Sequence, residues 1–477
     1  MTTQITRPTY DRSALKIRLL HIGFGAFAKA HTSVFHDEML RQSASDWGMA
    51  VARLNSGANE LTALDTANGL FAVGEMSDET LELRQVGAVV RTLHPKRDGI
   101  KAVTGQIRDP DLKVITLTIT EKGYCLAQGR LDLENPGIVA DLKSPLTPRT
   151  AIGFLVEGLA QRKEAGLPGL TILSCDNLPS NGKLCAAAVL DFAEQRDIAL
   201  RTWIEDTCRF PCSMVDRITP AMTQSSFDKL ASALDAADEN GILCEPFRQW
   251  VIEDNFAGDR PDWDLAGAAF VKDVEPFEDI KLRMLNGSHS FLAYLGALAG
   301  KDTISDCMTD PVFKRAVQNL MMQEQAVTLT VPQDFDIAVY SEELINRFSN
   351  RALHHKTTQI AADGSQKLPQ RLLAPVREHL AAGRPWPLSA LAIAGWMRYC
   401  RGTSETGTDL PVIDPHAVRI GELAAVSDDN EYVLNMMLLA GVFDTDLPAD
   451  PIFVGRVTEA YRALKQQGTA AALAAQL

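Results

Sequence analysis

No two cysteines in this chain are spaced as a CxxC pair, although there are eight of them: Cys125, Cys175, Cys185, Cys208, Cys212, Cys244, Cys307 and Cys400. The closest two, Cys208 and Cys212, have no second cysteine or histidine pair nearby. Scattered single cysteines fit reduced, partly buried thiols in a cytoplasmic protein. The lack of a ligand cluster speaks against a structural zinc and against zinc-dependent alcohol chemistry, so no metal is expected. Long apolar runs are also missing. Charge or glycine interrupts each one well short of the ~20 residues a membrane span needs. A basic surplus is absent too. The net charge of −14 argues against nucleic acid or an anionic membrane as the main partner. It leaves room for a small anionic ligand held by a local Lys/Arg cluster. The first 16 residues carry no signal-peptide pattern and are expected to form a loose arm.

What is present is an ordinary globular composition, 46% hydrophobic and 23% charged over 477 residues, enough for two domains. Residues 17–22 (IRLLHI) read as a buried strand, followed by a glycine turn and a helical pattern from Phe27 to about Leu40. Further strands are expected at 49–54, 112–120 and 169–175, with a helix at 150–165. Strands separated by helices imply an α/β parallel sheet. From about residue 281 the apolar spacing is helical almost throughout. The expected organisation is a Rossmann-type dinucleotide-binding domain over 1–272 and a mainly α-helical substrate and catalytic domain over 273–477.

Gly23-Phe24-Gly25-Ala26-Phe27-Ala28 lies between the first strand and the first helix. In a dinucleotide fingerprint the first glycine makes the tight turn. The second lets the backbone approach a pyrophosphate at the helix N-terminus, and Ala28 is an allowed small replacement for the third. A plain strand-to-helix turn is the alternative. The carboxylate that would hold an adenosine ribose 2′-hydroxyl is not evident after the second strand, which ends Arg53-Leu54-Asn55-Ser56-Gly57. Arg53 is either a surface charge or a group that tolerates a 2′-phosphate. The expected cofactor is NAD, with NADP left open.

Two further segments suggest chemistry: SCDNLPSNG (174–182), with Asn177, and KLRMLNGSHS (281–290), with Lys281, Asn286 and His289. Oxidation of a secondary alcohol needs a base for the hydroxyl proton, donors for the alkoxide and a hydride acceptor. A lysine normally holds its proton at neutral pH. It acts as a base when burial or nearby positive charge favours the neutral amine, and Arg283 is one candidate source of that charge. The asparagine side chains offer N–H donors. Gly287 allows close approach of a cofactor or another backbone. On a straight α-helix Lys281 and His289 would lie ~12 Å apart along the axis.

Together with GFGAFAKAH, TLTITEKGY, FPCSMVDRITP, CEPFRQWVIEDNF and DGSQKLPQR, these motifs give a sequence that resembles, over nearly its whole length, the long-chain mannitol dehydrogenase family. Its fructuronate reductase branch is the most similar. The resemblance implies a metal-independent secondary-alcohol dehydrogenase with a Rossmann-type domain ahead of a helical one, as a monomer or weak homo-oligomer. It implies Lys281 as general base, Asn177 and Asn286 as the oxyanion hole, His289 on the substrate and Glu278 as proton relay to solvent. It places Asp216 and Lys367 near the substrate and Glu121 near the cofactor, with Gly23, Phe24, Gly25, Ala26, Phe27 and Asn55 as further cofactor contacts. Gln359 stands where the mannitol enzymes tend to carry arginine. A sugar acid would bring a carboxylate for Lys367 or Arg371 to pair with, unless those two are surface charges. The implied reaction interconverts D-mannonate and D-fructuronate. Oxidation of mannitol or a related polyol is the alternative.

Overall fold

Five short strands rich in Val, Ile and Leu form the centre of the first part of the chain: β1 (Lys16–Ile22), β2 (Trp47–Ala52), β3 (Val89–Leu93), β4 (Val114–Leu117) and β5 (Thr171–Ser174). They pair in the order β5-β4-β1-β2-β3, and every neighbouring pair is parallel. Helices are needed to return the chain between parallel strands, and they cover both faces, which is why these strands are mostly buried and rich in apolar residues. The computed structural model describes residues 5–333 and 335–477. It divides into two units, Met1–Glu275 and Pro276–Leu477.

The sheet order reverses between β1 and β4, since β1 is flanked by β2 on one side and β4 on the other. In open α/β sheets the crevice beyond the strand ends at such a point is where ligands bind. Ile22, the last residue of β1, is in register with Ala52 of β2 and Leu117 of β4. Their three following loops therefore meet at one edge. The helix expected from Phe27 to about Leu40 is two helices, α1 (Ala26–Ala30) and α2 (Thr32–Gln42). His31 breaks them, with φ −116° and ψ −82°. Its ring stacks on Phe27 at 4.8 Å, and its Nε2 lies 2.8 Å from the Gln249 carbonyl.

Two smaller sheets complete this unit. Phe71–Met76 and Leu81–Val86 form an antiparallel pair flanked by Ile242–Cys244 and Ile5–Thr6, while Ser213–Asp216, Gln249–Glu253 and Ala269–Val271 form a three-stranded sheet. The expectation of a loose arm over residues 1–16 fails for residues 5–16, and residues 1–4 lie outside the described residues. Ile5 and Thr6 pair with Leu83 and Arg84. The Arg12 guanidinium donates to the carbonyls of Gly87, Asn68 and Val89, and the Tyr10 hydroxyl donates to Asp37. Hydrogen bonds from one arginine to three carbonyls hold a segment whose own composition gives it no reason to fold.

The second unit contains no named strand among its described residues. Three of its turns are π-helical: Lys281–Gly287, Leu320–Gln325 and Pro369–Leu373. The first continues into α3 (Ser288–Leu298), all of whose residues are buried. α3 packs against α4 (Pro387–Tyr399), where the absent Cβ of Gly395 would meet the Leu295 side chain at 2.7 Å. Glu324 caps α4, its carboxylate accepting from the backbone N–H of Leu388 (2.8 Å) and Ser389 (2.7 Å). Among the described residues no helix is long and apolar enough to cross a membrane.

Candidate active site

The crevice at the ends of β1, β2 and β4 holds a cavity of about 530 Å³ lined by Gly23, Gly25, Arg53, Asn55, Ser56, Thr118–Thr120, Lys122, Gly123 and Arg149, among others. That volume suits a cofactor-sized ligand. Three cations and no carboxylate line it, so an acidic protein presents a locally positive wall to an anion. Gly23 has φ +98°, and a Cβ there would sit 2.0 Å from the Thr118 carbonyl oxygen. Only glycine makes that turn. Gly25 is different: its Cβ would meet only the Gly23 carbonyl, at 3.8 Å, so the missing side chain leaves space in the cavity rather than in the protein. These two positions fit a dinucleotide phosphate approached by backbone.

Not every expected cofactor residue lies on that wall. Asn55 does, but Phe24, Ala26, Phe27 and Glu121 are absent from the lining. The Phe24 ring is buried, edge-on to Phe71 at 5.8 Å, and Phe27 stacks on His31. Glu121 is exposed, while Thr120 and Lys122 on either side of it face the cavity.

Asp176, which follows β5, holds the cavity's 118–124 wall in place. Its carboxylate accepts from the backbone N–H of Ile119 (3.0 Å) and Thr120 (2.9 Å) and from the Tyr124 hydroxyl (2.8 Å). Thr120 has φ +62°, a conformation that costs a non-glycine residue energy and that these bonds maintain. Burial raises the Asp176 pKa to about 6, although the three donors pull it down. Asn177 is the next residue and is exposed. Asn181 fastens the same turn: its amide donates to the carbonyls of Asp176 (3.0 Å) and Ser213 (2.7 Å) and accepts from Ser213 N–H (3.0 Å). Ser213 opens the strand that ends at the buried Asp216. A single asparagine thus ties the segment bearing Asn177 to the strand bearing Asp216. Neither Asp176, Tyr124 nor Asn181 stands out in the sequence. The signal was the polar run SCDNLPSNG itself, which is more than a turn requires.

In the second unit Lys281 is 6% exposed and His289 7%. The chain over 281–287 is a π-helical turn, not the straight α-helix used for the sequence geometry. Hydrogen bonds in such a turn join residues five apart, which makes Lys281 and Asn286 successive neighbours along the helix. Such turns recur at functional sites. Gly287 admits a backbone: its Cβ would lie 2.9 Å from the Arg371 carbonyl. Arg371 Nη1 in turn donates to the Asn286 carbonyl (3.4 Å) and to Ser290 Oγ (3.2 Å). Lys367 Nζ donates to the carbonyls of Ile360 (3.1 Å) and Ala362 (2.5 Å). Lys367 and Arg371 are thus half-buried and bonded in place, not free surface charges. Gln359 is exposed, and Glu278 is half-buried on the short helix Glu275–Ile280.

Arg283 does not supply the positive charge suggested for it. Its guanidinium is 2.6 Å from Glu378 and 3.3 Å from Asp279, and these carboxylates offset its field at Lys281. The positive charge gathers instead around His289. Burial is the largest cause holding that imidazole well below its ordinary pKa, and His355, Arg347, Arg371 and Lys367 push it in the same direction. His289 is therefore neutral at pH 7. Its Nε2 is buried and has no hydrogen-bond partner among the described residues.

Residues 17–265 match the mannitol dehydrogenase Rossmann domain and residues 273–465 the mannitol dehydrogenase C-terminal domain. The chain belongs to the mannitol dehydrogenase family. It is 47% identical to the D-mannonate oxidoreductase of Escherichia coli K12, over 99% of this chain and 98% of that one. It is 34% identical to the mannitol 2-dehydrogenase of Phaeosphaeria nodorum, over 98% of this chain and 83% of that one. Among solved structures, the Pseudomonas fluorescens mannitol 2-dehydrogenase, in ternary complex with NAD and D-mannitol, superposes with a TM-score of 0.89 at 32% identity. That match covers 99% of this chain and 96% of the other. This mannitol dehydrogenase family member is an oxidoreductase that carries a cofactor-sized cavity in its first unit and, in its second, a buried π-turn bearing Lys281 and Asn286.

Proposed function

We propose that this protein is a cytoplasmic, metal-independent, NAD-dependent oxidoreductase that interconverts D-mannonate and D-fructuronate. The observation that carries the sugar-acid reading is the positive surround of His289, where Lys367, Arg371 and Arg347 act on one buried site. A carboxylate can pair with a cation of that cluster, whereas an uncharged hexitol cannot. The 47% identity to a D-mannonate oxidoreductase supports the same choice. Oxidation of mannitol is the second reading, supported by the P. fluorescens complex.

When bound, NAD supplies the hydride acceptor, and Gly23, Gly25, Asn55 and the 118–123 loop are the residues that hold it. The rest of the chemistry falls to side chains. Lys281 Nζ takes the hydroxyl proton of the carbinol as the C–H hydrogen leaves with its electron pair. Burial of a lysine favours the neutral amine that this step requires. The side-chain N–H groups of Asn177 and Asn286 donate to the developing alkoxide. Glu278, three residues before Lys281, passes the proton on to solvent. Neutral His289 orients the substrate, with Asp216 and Gln359 as further substrate contacts. Seven buried free thiols support a reducing compartment.

Incubation of the purified protein with NAD and D-mannonate should yield NADH and a keto acid in equal amounts. Oxidation of D-mannitol, with no NADH formed from D-mannonate, would move the protein to the polyol branch.

A further inference from the structure

His355 sits beside His289, with ring centroids 5.3 Å apart and ring planes at 85°. Phe348 packs against the His289 ring at 4.6 Å. Two ring nitrogens in this pair are buried without a hydrogen-bond partner among the described residues: His289 Nε2 and His355 Nδ1. Buried polar atoms in native proteins almost always have partners, and a pair of orphans at one place marks a missing ligand or ordered water. The backbone around them is fixed independently of any ligand. The His355 carbonyl accepts from Ile304 N–H at 3.0 Å. Lys356, next along, bridges to Thr303. The Lys367 ammonium, held by the carbonyls of Ile360 and Ala362, is close enough to both imidazoles for its charge to act on each. Two neutral rings next to a fixed cation present donors to an anion without requiring a second buried charge.

Resting on the sugar-acid reading above, we propose that His355 is a substrate-binding residue whose ring N–H, with the Lys367 ammonium, holds the carboxylate of the aldonate. His289 is left for a hydroxyl of the same molecule. His355, rather than the exposed Gln359, then sets the preference for sugar acids over polyols. Burial, with the neighbouring charge acting in the same direction, leaves both histidines uncharged, and a neutral imidazole still offers one N–H.

The test is kcat/KM for D-mannonate and for D-mannitol in the wild type, His355→Ala and His355→Gln, together with calorimetric binding of each compound to the wild type and His355→Ala. His355→Ala should raise KM for D-mannonate at least tenfold with kcat little changed, leave D-mannitol within about twofold, and weaken D-mannonate binding in parallel. His355→Gln, which keeps an N–H, should recover part of the loss and guards against misfolding of the alanine variant. Equal losses for both substrates, or none, would overturn the proposal. A wild type that does not turn over D-mannonate, yet binds it through His355, would end the sugar-acid oxidoreductase reading and leave this site standing. A wild type that neither binds nor turns over D-mannonate would end both.

Discussion

The candidate sites of the two units are built from different materials. The cavity in the first unit is made largely of backbone: two glycines, the strand ends beside them and a loop pinned by Asp176. The site in the second unit is made of side chains on a buried π-turn, with Lys281, Asn286 and His289 presented by a segment that is almost wholly out of solvent. A backbone site tolerates many residues at its edge and depends on those that have no side chain. A side-chain site depends on each member. The difference teaches where substitution should hurt and which quantity it should change: nucleotide affinity in the first unit, turnover in the second.

The largest effect is expected from Lys281→Ala. General-base loss should lower kcat by about 10³-fold while NADH affinity, read by fluorescence titration, stays unchanged. A loss of less than tenfold would show that Lys281 is not the base. Next comes Gly25→Ala, whose Cβ enters cavity space without a clash inside the protein. NADH affinity should fall about 100-fold, near 2.7 kcal/mol, with thermal stability kept. Unchanged affinity would place the dinucleotide elsewhere.

Asp176→Asn should cost about tenfold in kcat/KM, because one carboxylate accepts three hydrogen bonds that an amide cannot all replace. A raised carboxyl pKa means the folded state holds the proton more tightly than the unfolded chain. Its stabilising contribution is complete below the ordinary carboxylate range and is lost as the pH rises through about 6. The wild type should therefore show an inflection in kcat/KM near pH 6 that Asp176→Asn lacks. Desolvation depresses His21, His36 and the half-buried His355 to about 3, 4 and 4, and they do not titrate in that window. If the inflection persists in the variant, another group produces it. The smallest effect belongs to Arg53→Ala. With no carboxylate lining the cavity, some use of NADP is expected, and losing Arg53 should raise KM for NADP about fivefold, near 1 kcal/mol, with NAD unaffected. Equal changes for both cofactors would deny Arg53 a role at the 2′ position.

The same contrast explains what could be read from the sequence. The GFG turn and the β-branched runs announce a parallel sheet with a nucleotide crevice, because strand periodicity and glycine both have local causes. The short strands at 213–216, 242–244 and 269–271 carry no such pattern; they are held by partners far away in sequence. Lys281, Asn286 and His289 stand out by residue type within one short segment, and family resemblance gives them their roles; the α-helical spacing taken for them is replaced by a π-turn. His355 and Asp176 could not be singled out. One of two adjacent histidines in RALHHKTTQ and an aspartate in a turn gain meaning only from what surrounds them: the His289 imidazole at 5.3 Å, and three donors converging on one carboxylate.

The central claim is that the buried cationic site selects a sugar acid, and its most direct test is the ratio of kcat/KM for D-mannonate to that for D-mannitol with NAD. The account predicts a preference for D-mannonate above ~100-fold, or ~2.7 kcal/mol of transition-state discrimination. A preference for D-mannitol would contradict it and leave the positive charge around His289 without the role given to it here.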